Sequence, residues 1–500
     1  MSEVPNGVKM DSVSRKIRPS ATMMITRDGS NGVEVLLGRR AESMPAFPGY
    51  WAFPGGGLSR VDKLAVEELE QLDGPNAAAF AAIMREIVEE LGFACDDGKI
   101  IVVDDAARSL VVVDKANWLP QVKQGNIPCD TSGIRHISSR TTPPFGPVLF
   151  ENTFLHIHGG SSQEVPQPSI VGQTEFVEFT WQSADQLLLK WKAHEMKIAP
   201  PVVTLMMQLK RTLAQFGGDM ESSAEEMEKR QIGRRSILFA YGVEVVPVKT
   251  ATLPPADHTN SYLIGDPEGD FVLVDPAARM REGMEDLAVA VERHNGNLLA
   301  IVFTHPHSDH LGDFDLLREA FDVPIWGSQQ TSEQIPCQRI LHDGEMLQLG
   351  EQKWQVLQTP GHHPGHICLL GAAGLVAGDM VAGIGTILIP PSEGDMDQYL
   401  QQLQRLIDLK PHLIFPSHGP VIPLPEKKLK YYLQHRAARH QRVLDAVAAG
   451  NNKLAQISIV AYQDSPDAHP LLAQDQTLSH LLSHQRDGKV VEEDHNWKIV

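Results

Sequence analysis

The sequence has few cysteines and no long apolar run. Its 500 residues include four cysteines, Cys95, Cys129, Cys337 and Cys368, and no two of them form a C-x-x-C pair. Four cysteines in so long a chain exclude a disulfide framework and favour a reducing compartment. No apolar stretch reaches the ~18 residues that span a bilayer, and no signal-peptide pattern opens the chain. These absences predict a soluble, cytoplasmic protein with no membrane partner.

Basic residues are also fewer than acidic ones. The chain has 44 Lys and Arg against 63 Asp and Glu, a formal net charge of −19. A chain of this charge repels phosphate backbones as a whole, which weighs against a general nucleic-acid binder and leaves room for a local basic patch. With 42% hydrophobic and 21% charged residues, the composition is that of a folded protein. At ~100–200 residues per domain, the length predicts about three domains.

Apolar patterns and turn signals place the domain boundaries. A first domain is predicted over 16–216, followed by a charged linker over 217–236. Strands that alternate with helices then predict an α/β layered domain over 237–425. Helices followed by a small hairpin predict a winged-helix-like module over 426–500. The fold class is therefore a multidomain mixture of α/β and α+β.

Two local patterns define the first domain. Alternating apolar segments at Ala21–Ile25 and Val33–Leu37, separated by Asp-Gly and Asn-Gly turn signals, predict a β-hairpin. A helical pattern runs over Ala77–Leu91, and Gly92 is its stop signal. The pattern therefore predicts an α-helix that directly follows a Gly/Pro-rich stretch and an insertion over 58–76.

Seven potential metal ligands follow strands of the layered domain. Four lie directly after an apolar strand: His305, His307, Asp309 and His310. His305 and His307 alternate by two, so an extended segment directs both to one side. The remaining three are His362, Asp379 and His418. Neutral imidazoles and carboxylates are ligands for zinc and similar divalent ions.

The motifs H-x-H-x-D-H, T-P-G-H, G-D and S-H-G, in this order, resemble the metallo-β-lactamase superfamily over 237–425. The resemblance implies an αββα sandwich with one metal on His305, His307 and His362. It implies a second metal on Asp309, His310 and His418, with Asp379 bridging the two. Zinc is the first choice, with iron and manganese as alternatives, because affinity order alone does not decide occupancy.

This ligand set predicts a metal-dependent hydrolase. Two metals ~3.5–4 Å apart lower the pKa of a shared water, and the resulting hydroxide attacks an ester-like bond. Asp309 and Asp379 are the predicted catalytic carboxylates that anchor it. The stretch that begins at Thr359 also resembles hydroxyacylglutathione hydrolases, which cleave thioesters. A thioester or a related acyl compound is therefore the preferred small-molecule substrate.

RNA is the alternative substrate. The segments Gly385-Thr386 and Gly394-Asp395-Met396, together with 435–439, resemble the branch of beta-lactamase-like protein 2, which has a winged-helix-like C-terminal module. Its characterised eukaryotic member is a single-strand endoribonuclease. The predicted substrate contacts are Thr386, His435, Arg436 and Arg439. The basic helix over 427–442 either contacts phosphates or presents a solvated face.

The first domain carries a second motif. Arg85 to Phe93 fits R-E-U-x-E-E-x-G-U, where U is a bulky apolar residue, and Glu86, Glu89 and Glu90 share one helix face. Grouping like charges is unfavourable unless cations lie between them, and these oxygens suit magnesium or manganese. The motif resembles Nudix hydrolases over 16–216, with the α/β/α sandwich of that family as the implied fold. Glu89 and Glu90 are then the predicted catalytic pair.

Further residues resemble the coenzyme A diphosphatase subgroup, and they predict substrate contacts at Arg40, Gly55 and Gly56. One position departs from the family pattern, since Ala77 stands where a glutamate is expected eight residues before Arg85. Glu175 and Glu178 are candidates for a further metal ligand. The alternative is a degenerate domain for dimerisation or ligand sensing. In that case the protein is a regulator whose winged helix binds nucleic acid, and a homo-oligomer fits either interpretation.

Overall fold

The computed structural model describes residues 16–144, 148–172, 175–229 and 236–500, which form two compact units. The N-terminal unit comprises the described residues up to 229 together with 238–241. The C-terminal unit comprises 236–237 and 242–500. The predicted linker contains a helix, Met220–Lys229, and its residues 230–235 lie outside the described ranges. Within these ranges no helix combines the length and the apolar character that crossing a bilayer requires.

A mixed sheet of seven strands forms the centre of the N-terminal unit. In chain order the strands of this unit are β1 (Ile17–Gly29), β2 (Gly32–Arg40), β3 (Trp51–Ala52), β4 (Gly55–Gly57), β5 (Phe93–Asp96), β6 (Lys99–Val102), β7 (Arg135–Thr141), β8 (Leu149–Ser161) and β9 (Phe176–Ser183). The sheet order is β3-β2-β1-β8-β7, with β4 on β1 and β9 on β2. β1 and β2 form the predicted antiparallel hairpin, whereas β1 and β8 are parallel. β5 and β6 form a separate hairpin.

Helices accompany this sheet in the N-terminal unit. They are α1 (Arg60–Glu68), α2 (Ala77–Leu91), α3 (Asp105–Val113), α4 (Trp118–Lys123), α5 (Ala184–Lys192), α6 (Pro200–Gln215) and α7 (Met220–Lys229), with a 3₁₀ turn at Lys115–Asn117. α2 has the predicted bounds and ends at Gly92, whose φ of 76° lies in the left-handed region that glycine adopts easily. Its apolar face, which includes Ile83, Ile87 and Leu91, packs in one core with Met23 of β1. This packing holds α2 beside the glycine-rich strand β4.

The first sheet of the C-terminal unit has its strands in sequence order. After β10 (Ile237–Ala240), which lies at the division between the units, come β11 (Val243–Lys249), β12 (His258–Gly265), β13 (Asp270–Val274), β14 (Asn297–Val302), β15 (Ile325–Gly327) and β16 (Arg339–Ile340). Strands β13 to β16 are parallel. The accompanying helices are α8 (Arg281–Arg293), α9 (Ser308–Leu311), α10 (Phe314–Ala320) and α11 (Gln329–Ser332). α8 and α10 share a core with one face of this sheet.

A second sheet faces the first. It contains β17 (Met346–Leu349), β18 (Gln352–Gln358), β19 (Ile367–Gly371), β20 (Gly374–Gly378) and β21 (Ile414–Pro416), in this order, and α12 (Met396–Leu409) packs on it. The Tyr262 hydroxyl donates to the Pro416 carbonyl at 2.6 Å, and its ring meets Phe415 edge-on. The layers are therefore helix, sheet, sheet and helix, as the αββα expectation requires.

The chain ends in three helices and a hairpin. These are α13 (Pro425–Ala448), α14 (Leu454–Ala461), α15 (Pro470–Arg486), β22 (Val490–Glu493) and β23 (Asn496–Ile499). Val443, Ile457, Leu481 and Trp497 form a small core of their own. The predicted succession of helices and a terminal hairpin is confirmed, and the winged-helix assignment stays a prediction.

Candidate metal centre

The predicted ligands lie at one edge of the sandwich. β13 and β14 are parallel and end shortly before Asp275 and Thr304, while β20 and β21 are parallel and end shortly before Asp379 and His418. The carboxyl ends of parallel strands meet at the same edge of a sheet, and the loops beyond them carry functional side chains. Sequence-distant residues therefore reach one place.

The structure brings all seven predicted ligands together. Three groups of donor atoms each lie within 4.8 Å of one another: His305, His307 and His362; Asp309, His310 and His418; and His305, His310 and Asp379. Asp379 lies between the first two groups. Its Oδ2 is 3.7 Å from His362 Nε2, and its Oδ1 is 3.6 Å from His310 Nε2 and 3.5 Å from His418 Nε2. This arrangement suits a carboxylate that bridges two ions.

Each of the five histidines has one ring nitrogen held by the protein. The partners are the Thr304 hydroxyl for His305, Glu393 for His307, Asp275 for His310, the Leu388 carbonyl for His362 and the His258 carbonyl for His418. Carbonyl and carboxylate oxygens accept, so the bonded nitrogen carries the proton. For His305 and His310, the opposite nitrogen Nε2 is buried without a hydrogen-bond partner and faces the cluster. Holding one ring nitrogen by the protein is the usual arrangement around metal-bound histidine.

Asp275 anchors two of these contacts. Its carboxylate accepts the Thr304 N–H at 2.8 Å, the Thr304 hydroxyl at 2.6 Å and His310 Nδ1 at 2.9 Å. Because the Thr304 hydrogen is committed to Asp275, its oxygen accepts from His305 Nδ1. The single buried carboxylate therefore orients one histidine of each group.

The inward-facing atoms fit divalent cations. Within the described part of the chain, buried atoms without a hydrogen-bond partner include His305 Nε2, His310 Nε2, Asp379 Oδ1 and both carboxylate oxygens of Asp309. Buried polar groups without partners are strongly unfavourable, and such a cluster of nitrogen and oxygen donors matches zinc chemistry. These ligand atoms are therefore consistent with a dinuclear metal site.

The charges within the cluster are coupled. Burial and the neighbouring imidazoles of His310 and His307 hold the pKa of His305 well below its usual range. Burial raises the pKa of Asp379, but the opposing effect of His418 and His310 is larger. The pKa of Asp379 therefore lies well below its usual range. Both effects keep His305 neutral and Asp379 ionised, which are the forms that bind metals.

A glycine and a further histidine support Asp379. The backbone N–H of Asp379 donates to His366 Nε2 at 2.9 Å, and His366 Nδ1 meets the Thr359 hydroxyl at 2.7 Å. Gly378 has a φ of 50°, and a Cβ at that position would lie 2.4 Å from His366 Nε2. Glycine is therefore required here, and His366 is a support for the centre rather than one of its ligands.

Sequence comparison agrees with this geometry. The pattern of the metallo-beta-lactamase superfamily matches residues 254–336 and 338–418. A hydroxyacylglutathione hydrolase of Bdellovibrio bacteriovorus is 32% identical over 171 residues, which are 32% of this chain and 67% of that protein. The chain belongs to the metallo-β-lactamase superfamily. Its site is that of a metal-dependent hydrolase of this superfamily.

Other relatives extend the comparison. A beta-lactamase-like protein 2 homolog of Drosophila melanogaster is 27% identical over 248 residues, which are 46% of this chain and 84% of that protein. A beta-lactamase domain protein from Burkholderia ambifaria has a TM-score of 0.47 at 22% identity, over 53% of this chain and 93% of that one. A NUDIX hydrolase from Alicyclobacillus acidocaldarius has a TM-score of 0.35 at 24% identity, over 39% of this chain and 92% of that one.

The predicted substrate contacts near the C-terminus are scattered. Thr386 is exposed, and His435 is half-buried and stacks on Tyr431. Arg436 and Arg439, in contrast, are almost fully buried and bond to protein groups. Helix α13 therefore turns these two arginines inward against α14 and α15, and their role as substrate contacts stays a prediction.

The predicted acidic site of the N-terminal unit is partly assembled. Glu90 accepts the Gly55 N–H at 2.9 Å, and a Cβ on Gly56 would collide with the Glu86 carboxylate. Burial and the neighbouring Glu89 raise the pKa of Glu86 to about 7 despite Arg85. Arg40 pairs with Glu175. Among the described residues, the donor atoms of Glu86, Glu89 and Glu90 do not form a group as tight as those of the metal centre.

Asp62 is a functional candidate that the sequence prediction missed. Its carboxylate accepts Arg85 Nε at 2.8 Å and Nη2 at 3.0 Å, and both side chains are buried. Ala77, where the family pattern expects a glutamate, begins α2 and is buried. Helix α1, within the insertion, therefore places a carboxylate against Arg85. In the sequence, the position of Asp62 early in the insertion was the signal that could have indicated this contact.

The same prediction missed Asp275 and Glu393. Asp275 directly follows an apolar strand, as several predicted ligands do, and this position was a usable signal. Glu393 follows no strand and belongs to no motif, so only the tertiary structure reveals its contact with His307.

Proposed function

We propose that the C-terminal unit is a dinuclear zinc hydrolase that cleaves a thioester or a related acyl compound. The observation that carries the proposal is the convergence of seven buried ligands, among which each of the five histidines is held by the protein at one ring nitrogen and turns the other towards the cluster. When bound, two divalent ions would lower the pKa of a shared water and polarise the acyl oxygen of the substrate.

The residues supply the remaining requirements. Asp379 places a carboxylate between the two histidine groups and Asp309 places one beside His418, where they would orient the attacking water by accepting hydrogen bonds from it. Both are almost completely buried. A site so shielded from bulk water strengthens every charge interaction that it makes with a substrate.

Three considerations support an acyl substrate over RNA. The hydroxyacylglutathione hydrolase relative is named for an acylated thiol. Arg436 and Arg439, which an RNA substrate would need on the surface of α13, are instead buried, and Arg442 pairs with Asp464. With a net charge of −19, the chain also has little general attraction for a phosphate backbone.

Thiol release tests this proposal. Zinc-loaded protein is mixed with a panel of acyl-CoA and acylglutathione thioesters, beside Asp379→Ala and the exposed control Glu351→Ala. We expect release by the wild type and the control, and a loss of at least about 10³-fold in Asp379→Ala, because the ion-bridging carboxylate is removed. No release across the panel would overturn the acyl assignment and make single-stranded RNA the next substrate to test.

We further propose that the N-terminal unit is a magnesium- or manganese-dependent Nudix diphosphatase, acting on coenzyme A or a related diphosphate. The carrying observation is the position of Arg85, which binds Asp62, Glu86 and Glu89 beside the glycine-rich strand β4. The Glu86 carboxylate lies against Gly56 of this strand and Glu90 accepts the Gly55 N–H, so acidic groups that suit magnesium or manganese adjoin a backbone without side chains.

Coenzyme A hydrolysis with magnesium tests this second activity. Glu90→Gln should abolish it, whereas Glu67→Gln, an exposed change on α1, should leave it intact. Thioester cleavage should survive both changes, because the metal centre of the C-terminal unit is untouched. Equal diphosphatase activity in the wild type and Glu90→Gln would contradict the proposal.

A further inference from the structure

One loop contacts two ligands of the first metal group. The segment between β20 and α12, residues 379–395, is here termed the β20–α12 loop. Its Leu388 carbonyl accepts from His362 Nδ1 at 2.7 Å, and its Glu393 Oε1 accepts from His307 Nε2 at 2.8 Å. The loop therefore holds two of the three histidines by the nitrogen that faces away from the candidate metal.

The terminal helices hold this loop in place. Gln476 Nε2 and Ser479 Oγ of α15 donate to the Ile389 carbonyl at 2.9 Å and 2.6 Å. Arg436 of α13 donates to the Ile387 carbonyl. All three side chains are almost fully buried, so the carbonyls of Ile387 and Ile389, on either side of Leu388, are held by the terminal helices. A fixed loop gives Glu393 a fixed position.

We propose that Glu393 is a positioning residue for the first metal, which it serves by setting the proton and the orientation of His307. The proposal rests on the metal centre proposed above. A carboxylate that accepts from Nε2 keeps the proton there and leaves the lone pair on Nδ1. That Nδ1 lies 3.0 Å from His362 Nε2, on the side where both nitrogens converge. Such a partner also makes the imidazole a stronger ligand.

Glu393 differs from the other partners of the histidines. Three of the others are a hydroxyl or backbone carbonyls, and Asp275 is fully buried in a network with Thr304. The Glu393 side chain is 30% exposed, and its second oxygen is 4.0 Å from His363 Nε2. It can therefore be replaced without opening a cavity in the core, which makes it the testable member of the set.

Metal affinity tests the proposal directly. Zinc binding is measured by competition with a chromophoric chelator for the wild type, Glu393→Ala, Glu393→Gln and the exposed control Glu351→Ala. We expect Glu393→Ala to lose about 10–100-fold in affinity for one of two ions. Glu393→Gln should lose less, because its amide oxygen still accepts from His307. The affinity of the second ion and of the control should match the wild type.

Two further readouts separate positioning from a structural role. The visible spectrum of the cobalt-substituted protein should change in the Glu393 variants, and the melting temperature of the metal-free protein should not. If Glu393→Ala binds both ions as the wild type does, the proposal is wrong and the metal centre remains. If the wild type binds no divalent ion, both the metal centre and the role of Glu393 are overturned.

Discussion

Two buried carboxylates, Asp62 and Asp275, each accept hydrogen bonds from buried neighbours, one in each unit. Asp62 binds the guanidinium of Arg85, and Asp275 binds Thr304 and His310. A buried charge is tolerated when opposite charges and hydrogen-bond donors surround it, and removing one partner leaves the other uncompensated. At the scale of the residue, each carboxylate therefore fixes a neighbour on which a candidate site depends.

The pair in the N-terminal unit gives a first prediction. Asp62→Ala should lower the free energy of unfolding of that unit by about 3–5 kcal/mol, because Arg85 remains buried with weaker compensation. The matched control is Glu68→Ala on the same helix, which removes a pair with Lys123 in which both side chains are substantially exposed. That loss should stay below about 1 kcal/mol. Denaturant unfolding followed by circular dichroism measures both, and equal losses would contradict the interpretation.

Helix α13 shows how packing decides the role of basic residues. Its sequence predicts a basic face, yet Arg436 bonds to Gln476 and the Ile387 carbonyl, and Arg439 bonds to Asp464. The exposed lysines include Lys430, which pairs with Glu426 one turn away. At the scale of the element, α13 is the support on which α14, α15 and the β20–α12 loop pack.

A second prediction concerns this support. Arg436→Ala should destabilise the C-terminal unit by about 2–4 kcal/mol, since buried acceptors lose their donor and a cavity opens. The control is Arg442→Ala, whose side chain is 45% exposed, and its effect should be within about 1 kcal/mol. Thermal and denaturant unfolding of both variants checks the difference. Equal effects of the two substitutions on stability would contradict the supporting role of Arg436.

Histidines between α13 and α15 give a third prediction. The ring of His440 stacks on His484, with centroids 3.6 Å apart, and its Nδ1 lies 3.1 Å from His480 Nδ1. Burial, His484 and Lys489 lower the pKa of His440 to about 4. The folded protein therefore binds fewer protons than the unfolded chain, whose histidines have a pKa of ~6.5. Stability is fully present above pH ~6.5 and is lost as the pH falls towards 4.

The dependence is measured as the free energy of unfolding between pH 7.5 and pH 5. His440→Gln should flatten the profile, because the mutant side chain takes up no proton. His495→Gln is the control, since that side chain is 96% exposed, and it should leave the slope unchanged. Identical slopes in all three proteins would show that the cluster does not control acid stability.

The whole molecule combines two compact units with separate cores and a strongly acidic surface. Among the described residues, only the C-terminal unit contains a cluster of buried metal-ligand atoms, some of which have no hydrogen-bond partner. Ligand that binds only the folded state stabilises it in proportion to the logarithm of its concentration. The stability of this unit should therefore depend on metal, whereas that of the N-terminal unit should not depend on zinc.

Removal of metal is the fourth prediction. Zinc at 100 times its dissociation constant should stabilise the C-terminal unit by about 2.7 kcal/mol, and a chelator should reverse this. Asp379→Ala should respond more weakly, because one ligand shared by both ions is missing. Differential scanning calorimetry with and without chelator measures the shift. A melting profile indifferent to zinc and chelator would contradict the assignment of the centre.

Local signals in the sequence were sufficient for the elements and for the ligands. The hairpin of β1 and β2, the bounds of α2 and the order of the seven metal ligands follow from patterns within a few residues of each other. Such patterns are readable because periodicity, turn residues and strand ends are local properties. The αββα layers followed from the resemblance that these motifs carried.

Only the tertiary structure decided which distant residues support the sites. Asp62 reaches Arg85 across 23 positions, Glu393 reaches His307 across 86, and α13 turns Arg436 inward. No local pattern encodes these contacts, because they depend on how helices and loops pack on the sheets. The sequence by itself determined the chemistry of the ligands. Packing determined their orientation, since a side chain is fixed only by the neighbours that the fold places beside it.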